Sequence, residues 1–151
     1  MIALLDEIKL KNKTNWLLNF DMVVNENTNT LFISDRNSER IWKIDMGKDE
    51  VVEWLSELGD EISLSIANDN NLLVLRNVLD LPHLELYDQN ATRVRSVSLP
   101  NSVRYPFNAI QKPNGEFIVS YRSAEENGTC VSFISAEGRV VNSGSAALPL
   151  L

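Results

Sequence analysis

Cysteine and histidine are almost missing from this chain, with one of each in 151 residues. A lone Cys130 excludes an intrachain disulfide, so folding does not depend on an oxidising compartment. One cysteine and one histidine, His83, cannot build a zinc site of the Cys/His kind. Long apolar runs are missing too, and no stretch approaches the roughly 18 residues of a membrane-spanning helix. The opening residues reach Asp6 after a short apolar run, which is no secretory signal, so the expected compartment is the cytoplasm. Positive charge is scarce, 14 basic residues against 21 acidic ones, for a net charge of -7. That balance disfavours an extended nucleic-acid surface, which needs clustered cations to neutralise phosphates, although it leaves room for one local basic patch. What remains is ordinary: 44% hydrophobic and 23% charged residues suit one soluble domain and are too apolar for general disorder.

The clearest organisation lies in Leu31 to Asp45, where an apolar run, Leu31-Phe32-Ile33, ends at Ser34-Asp35. Arg36-Asn37-Ser38-Glu39 supplies a polar turn, and Arg40 to Asp45 then alternates polar and apolar with period two. Phe20 to Val24 before it and Val51 to Leu55 after it complete four strands joined by turn formers. The order recurs twice. Ile62 to Ala67, Leu72 to Leu75, His83 to Tyr87 and Val94 to Leu99 form a second unit, with Asn77 to Pro82 read as a loop. Phe107 to Gln111, Glu116 to Tyr121, Cys130 to Ile134 and Arg139 to Val141 form a third, in which Lys112-Pro113-Asn114-Gly115 is the clearest turn. Asp45, Asp88 and Ser135 close the third strand of each unit.

Four strands repeated at about 40 to 50 residues is the signature of propeller blades. The expected fold is therefore all-β, a partial β-propeller of about three four-stranded antiparallel blades. The blades fall at about 20–58, 59–101 and 102–143, after an N-terminal strand or extension over 1–19 and before a C-terminal tail. Phe32, Ile33, Ile41, Ile44, Leu73, Val74, Phe117, Ile118, Val131 and Phe133 are expected to be mostly buried. Three blades fill about half of a six-bladed ring. The expectation is that further blades come from a longer chain of its own or from a second copy.

The first unit, with Ser34-Asp35 at the strand end, Asn37 in the turn and Arg40-Ile41 opening the third strand, resembles an NHL repeat. In the third unit Asn108 to Tyr121 resembles the first half of such a repeat, with Tyr121 where the family has Asp; the second unit places Arg76 there. The resemblance implies a propeller used to bind proteins or RNA. It also implies neighbouring ubiquitin-ligase modules, of which this sequence has none.

Several residues invite a chemical role and have a simpler one. Asp35 and Arg40 flank the hairpin turn and can fix it as a local pair of the kind usually worth under about 1 kcal/mol. His83 has no second histidine for a metal site, and Cys130 reads as a small buried side chain. The acids Asp49, Glu50, Glu53, Glu57, Asp60 and Glu61 spread over a strand and two loops as a solvated face. Trp16, Trp42 and Trp54 fill space between blades rather than stack on bases. The sequons at Asn12, Asn90 and Asn127 occur at the frequency chance gives.

The leading functional expectation is a non-enzymatic scaffold that needs no cofactor and binds a protein partner. Loops between second and third strands share a propeller face with loops between blades. Partner-binding candidates on that face are Arg36, Asn37, Glu39, Arg104, Tyr105, Arg122 and Glu125, since arginine and tyrosine are favoured interface anchors. An RNA-binding version is the runner-up, opposed by Glu39, Glu125 and Glu126. A calcium-dependent lactonase or esterase propeller is the third. It would need six to eight oxygen ligands, and the matching first-strand positions are Asp21, Leu64 and Asn108.

Overall fold

A computed structural model describes residues 20–35, 39–59, 61–123 and 128–142. The expected N-terminal strand over 1–19 and the C-terminal tail lie outside the described residues. Twelve strands form three four-stranded antiparallel sheets, each a simple meander in chain order. The first holds β1 (Phe20–Asn25), β2 (Thr30–Asp35), β3 (Arg40–Asp45) and β4 (Glu50–Leu55). The second holds β5 (Glu61–Ile66), β6 (Leu72–Val78), β7 (Leu81–Tyr87) and β8 (Arg93–Ser98). The third holds β9 (Pro106–Gln111), β10 (Phe117–Ser123), β11 (Gly128–Ile134) and β12 (Val140–Asn142). No described residue is α-helical, and no described helix is long and apolar enough to cross a membrane. By their internal contacts the strands divide into two compact units, Met1–Asp60 and Glu61–Leu151.

In the first unit the register sets Ile33 opposite both Met22 and Trp42, and Leu31 opposite both Val24 and Ile44. Cross-strand partners share a sheet face, so Leu31, Ile33, Trp42 and Ile44 form one buried cluster. Phe32 points to the other face, where its ring meets Trp54 at 4.8 Å between centroids. Strand β2 is thus buried on both faces, which is why it reads as a continuous apolar run rather than an alternating one.

The residues that close the third strands have a shared task. Asp45 Oδ1 accepts hydrogen bonds from the Gly47 and Lys48 amides at 2.9 and 3.2 Å. Asp88 Oδ1 does the same for Asn90 and Thr92 at 2.9 and 3.0 Å, and Ser135 Oγ accepts from the Arg139 amide at 3.0 Å. Each side chain supplies the acceptor that its turn's exposed amides would otherwise find only in water.

In the second unit the two sheets cover each other. Leu73, Leu75, Leu84, Leu86 and Val97 pack with Ala109, Phe117, Val119 and Ile134 in one core. Polar seams join the innermost strands, with Ser65 Oγ donating to the Ala109 carbonyl at 2.8 Å and the Asn68 amide donating to Gln111 Oε1 at 3.0 Å. The opposite face of the third sheet departs from expectation. Ile118, Val131 and Phe133 are half-buried and Ile110 is 48% exposed, because they point away from the face that the second sheet covers. The seven other expected core residues are buried.

Candidate functional site

The β6–β7 hairpin is tighter than the expected loop. Its strands run on to Val78 and resume at Leu81, paired with each other, which leaves a two-residue turn of Leu79 and Asp80. Both turn residues have positive φ, 51° and 64°, the pattern of a type I′ turn that hairpins normally give to Asn and Gly. A leucine there carries no turn signal, so the hairpin is hidden in the sequence. Leu79 is 92% exposed at its tip.

Beside this hairpin runs the β8–β9 connection, anchored where the Leu99 amide donates to the Pro82 carbonyl at 3.2 Å and the Val103 amide to the Pro100 carbonyl at 3.0 Å. Hairpin and connection border a cleft of about 770 Å³ within the second unit. Ile62, Leu81, Leu99 and Val103 give it apolar surface, and Pro82, Pro100 and Pro106 form much of the rest. Each proline follows an apolar residue, as Leu81-Pro82, Leu99-Pro100 and Tyr105-Pro106. Those dipeptides are the sequence signal by which the cleft could have been sought. The polar lining is Asn77, Asp80, Asn101 and Arg104.

Tyr105 stands at the lip, 73% exposed, with φ of 51° immediately before a proline. A bulky residue is disfavoured at positive φ, and one preceding proline is further restricted. Its carbonyl accepts from the Arg122 amide at 3.3 Å, which brings Arg104, Tyr105 and Arg122 together along the backbone. Arg122 lies within strand β10 rather than in a loop, since Ser120, Tyr121 and Arg122 all keep their pairing to β11. Both arginines are exposed, and among the described residues neither has a carboxylate in ion-pair range.

The other expected partner-binding residues are not placed beside these. Arg36, Asn37 and Glu125 lie outside the described residues, as does Glu126. Glu39 is exposed at positive φ, 57°, in the first unit. Arg40 pairs with Glu53, Nε to Oε1 at 3.6 Å, and Asp35 is buried. His83 is held structurally: its Nδ1 donates to the Leu81 carbonyl and its Nε2 shares a hydrogen bond with the Ser98 hydroxyl, both at 3.0 Å. Cys130 is buried. No group of three metal-capable side chains occurs among the described residues.

A buried charge in β7 escapes sequence reading altogether. Glu85 is 1% exposed, with Oε1 at 3.2 Å from Arg76 Nε and Oε2 at 3.3 Å from Arg93. The Tyr87 hydroxyl donates to Oε2 at 2.9 Å. Burial first, and then the bond to a carboxylate, push the Tyr87 phenol up to about 12.

No family model matches the sequence, and no curated protein matches it. Among solved structures the chain is similar to one from a nidogen/laminin complex, at 13% identity and a TM-score of 0.61, over 86% of this chain and 50% of that one. It is similar to a chain of Kuenenia stuttgartiensis hydrazine synthase at 20% identity and a TM-score of 0.62, over 81% and 35%. Streptogramin B lyase gives 12% identity and a TM-score of 0.61, over 83% and 42%. The chain thus spans half or less of the length of these solved chains. Such likeness concerns the fold: the protein is a partial β-propeller of three four-stranded antiparallel blades.

Proposed function

We propose that the chain is part of a non-enzymatic, NHL-like propeller scaffold that binds a protein partner at the cleft of its second unit. The observation that carries this is Tyr105, an exposed aromatic held at φ of 51° before Pro106, with Leu81 exposed in the same cleft and Leu79 exposed at the tip of the adjoining hairpin. Strained backbone and exposed apolar side chains both work against the fold, and they concentrate where a surface is used. Tyrosine and arginine at a pocket lip are favoured anchors. The propeller neighbours include one in a protein complex and one named as a lyase, so they do not choose between binding and turnover.

A photo-crosslinking residue placed at Tyr105 tests the reading in the cells that make the protein, with the same residue at exposed Val141 as control. A discrete protein adduct from Tyr105 alone is expected. Adducts to RNA instead, or identical adducts from both positions, would overturn it.

A further inference from the structure

We infer that two copies of this chain pair face to face through the outer side of the third sheet, independently of the cleft. That side is the counterpart of one already covered. In the second sheet Ser65 pairs with Leu73 and Leu73 with Leu86; in the third Ile110 pairs with Ile118 and Ile118 with Phe133. Leu73 and Leu86 are buried in the core that the two sheets share, whereas Ile118 and Phe133 are half-buried and Ile110 is 48% exposed. This apolar row regains burial only when another apolar surface covers it.

Two observations select the same side of a second copy over a further blade stacked as the third is on the second. Ser65 Oγ and the Asn68 amide fasten the third sheet to the second. The corresponding positions of the third sheet hold Ile110 and Pro113, which can donate neither bond. Stacking also needs a free side of the kind that Phe117 and Val119 turn to the second sheet. Its counterparts, Leu72 and Val74 in the second sheet and Leu31 and Ile33 in the first, are 1% exposed or less. Like meeting like is isologous and closes at two copies.

Charge sets the orientation. Lys112 Nζ lies 5.5 Å over the Phe133 ring and 3.0 Å from Glu116 Oε1, so this pair marks one end of the outer side. Asn114 Nδ2 also donates to Oε1, at 2.8 Å, and Oε2 has no partner among the described residues. Arg122 shares the outer side with Ile118 and Ser120 by alternation and marks the other end. It is exposed and without a described carboxylate in range. A two-fold axis between the sheets, crossing the strands at the level of Val119, runs the two copies antiparallel. It sets each Arg122 over Glu116 of the other copy, where the guanidinium can reach Oε2. The same rotation sets Phe133 over Val131 and Ile118 over Ser120, large against small. A parallel pair would instead crowd both Arg122 side chains at one end.

Light scattering and crosslinking on the full chain test this. The chain is expected at twice 17.0 kDa and no larger. Arg122→Glu, which sets carboxylate over carboxylate at an exposed position, should raise the dimer dissociation constant at least ~10-fold with an unchanged circular dichroism spectrum. Ser120→Arg, at the centre of the interface, should leave a folded monomer. A short bismaleimide should join two Ser120→Cys chains and leave Leu79→Cys chains, altered at the exposed hairpin tip, unjoined. A monomeric wild type would overturn the inference. So would species larger than a dimer, which head-to-tail stacking produces. Undiminished dimers of a folded Arg122→Glu variant, or equal crosslinking from the two cysteines, would overturn it as well. None of these results touches the cleft reading.

Discussion

At the scale of residues, Glu85 has the largest consequences for stability. Its carboxylate is buried between Arg76 and Arg93, and Arg76 is itself mostly buried. Glu85→Ala should cost about 3 kcal/mol in urea denaturation, because it leaves a guanidinium in the interior without its counter-charge. Replacing both members, Arg76→Met with Glu85→Met, should cost less than Glu85→Ala alone, since no charge is then stranded. Tyr87 adds a pH dependence whose sign is fixed. Its phenol ionises near 10 when unfolded and at about 12 when folded, so between those values the folded state holds more protons. Stability from this group is complete below pH 10 and declines as pH rises from 10 to 12, and Tyr87→Phe should remove that decline. None of this is legible in the sequence, where Glu85 is one polar residue in an alternating strand. Only the register, which sets Arg76 opposite His83 and Arg93 opposite Tyr87, brings its partners near.

At the scale of elements, the strand rhythm is legible where turns use ordinary chemistry. Asp45, Asp88 and Ser135 mark strand ends in the sequence because each is the acceptor its turn needs. The β6–β7 turn is illegible for the opposite reason, since Leu79 and Asp80 occupy a geometry they disfavour. Leu79→Asn should therefore raise the melting temperature, while removing an apolar contact from any partner at the cleft. A rise in stability with unchanged partner affinity would exclude Leu79 from the interface. Gly138 joins the two sheets of the second unit. It sits at φ of 94°, and a Cβ there would lie 2.8 Å from the Ser98 carbonyl oxygen. Gly138→Ala should destabilise by at least ~1 kcal/mol, from backbone strain and the clash with β8 together. Gly115, at φ of 93° with open space around its Cβ position, should tolerate alanine better. Equal losses at the two sites would show that the contact with β8 contributes nothing.

At the scale of the whole molecule, the repeat period foretold the blades, because a four-stranded meander must hide both faces and repeats its pattern to do so. The cleft is not foretold by period. It is built from segments far apart in sequence, with Asp80 and Tyr105 lining one cleft only once the hairpin and the inter-blade connection lie side by side. The third sheet's outer face, with Ile110 exposed and Ile118, Val131 and Phe133 half-buried, leaves apolar area in water. At about 25 cal/mol per Å², several hundred Å² of such surface is worth several kcal/mol, a large share of the 5–15 kcal/mol of a typical domain. Residues 1–151 alone should therefore run as a dimer or larger species in light scattering at micromolar concentration, and a sharply melting 17.0 kDa monomer would contradict this. The claim that matters most is that the cleft binds protein. Its most direct test is titration calorimetry with the protein recovered by the Tyr105 crosslink, comparing the wild-type chain with Arg104→Glu and with Leu81→Asp. Saturable binding to the wild type is predicted, weakened in both variants while their melting temperatures stay nearly unchanged. Undiminished binding by two variants that fold normally would contradict the account.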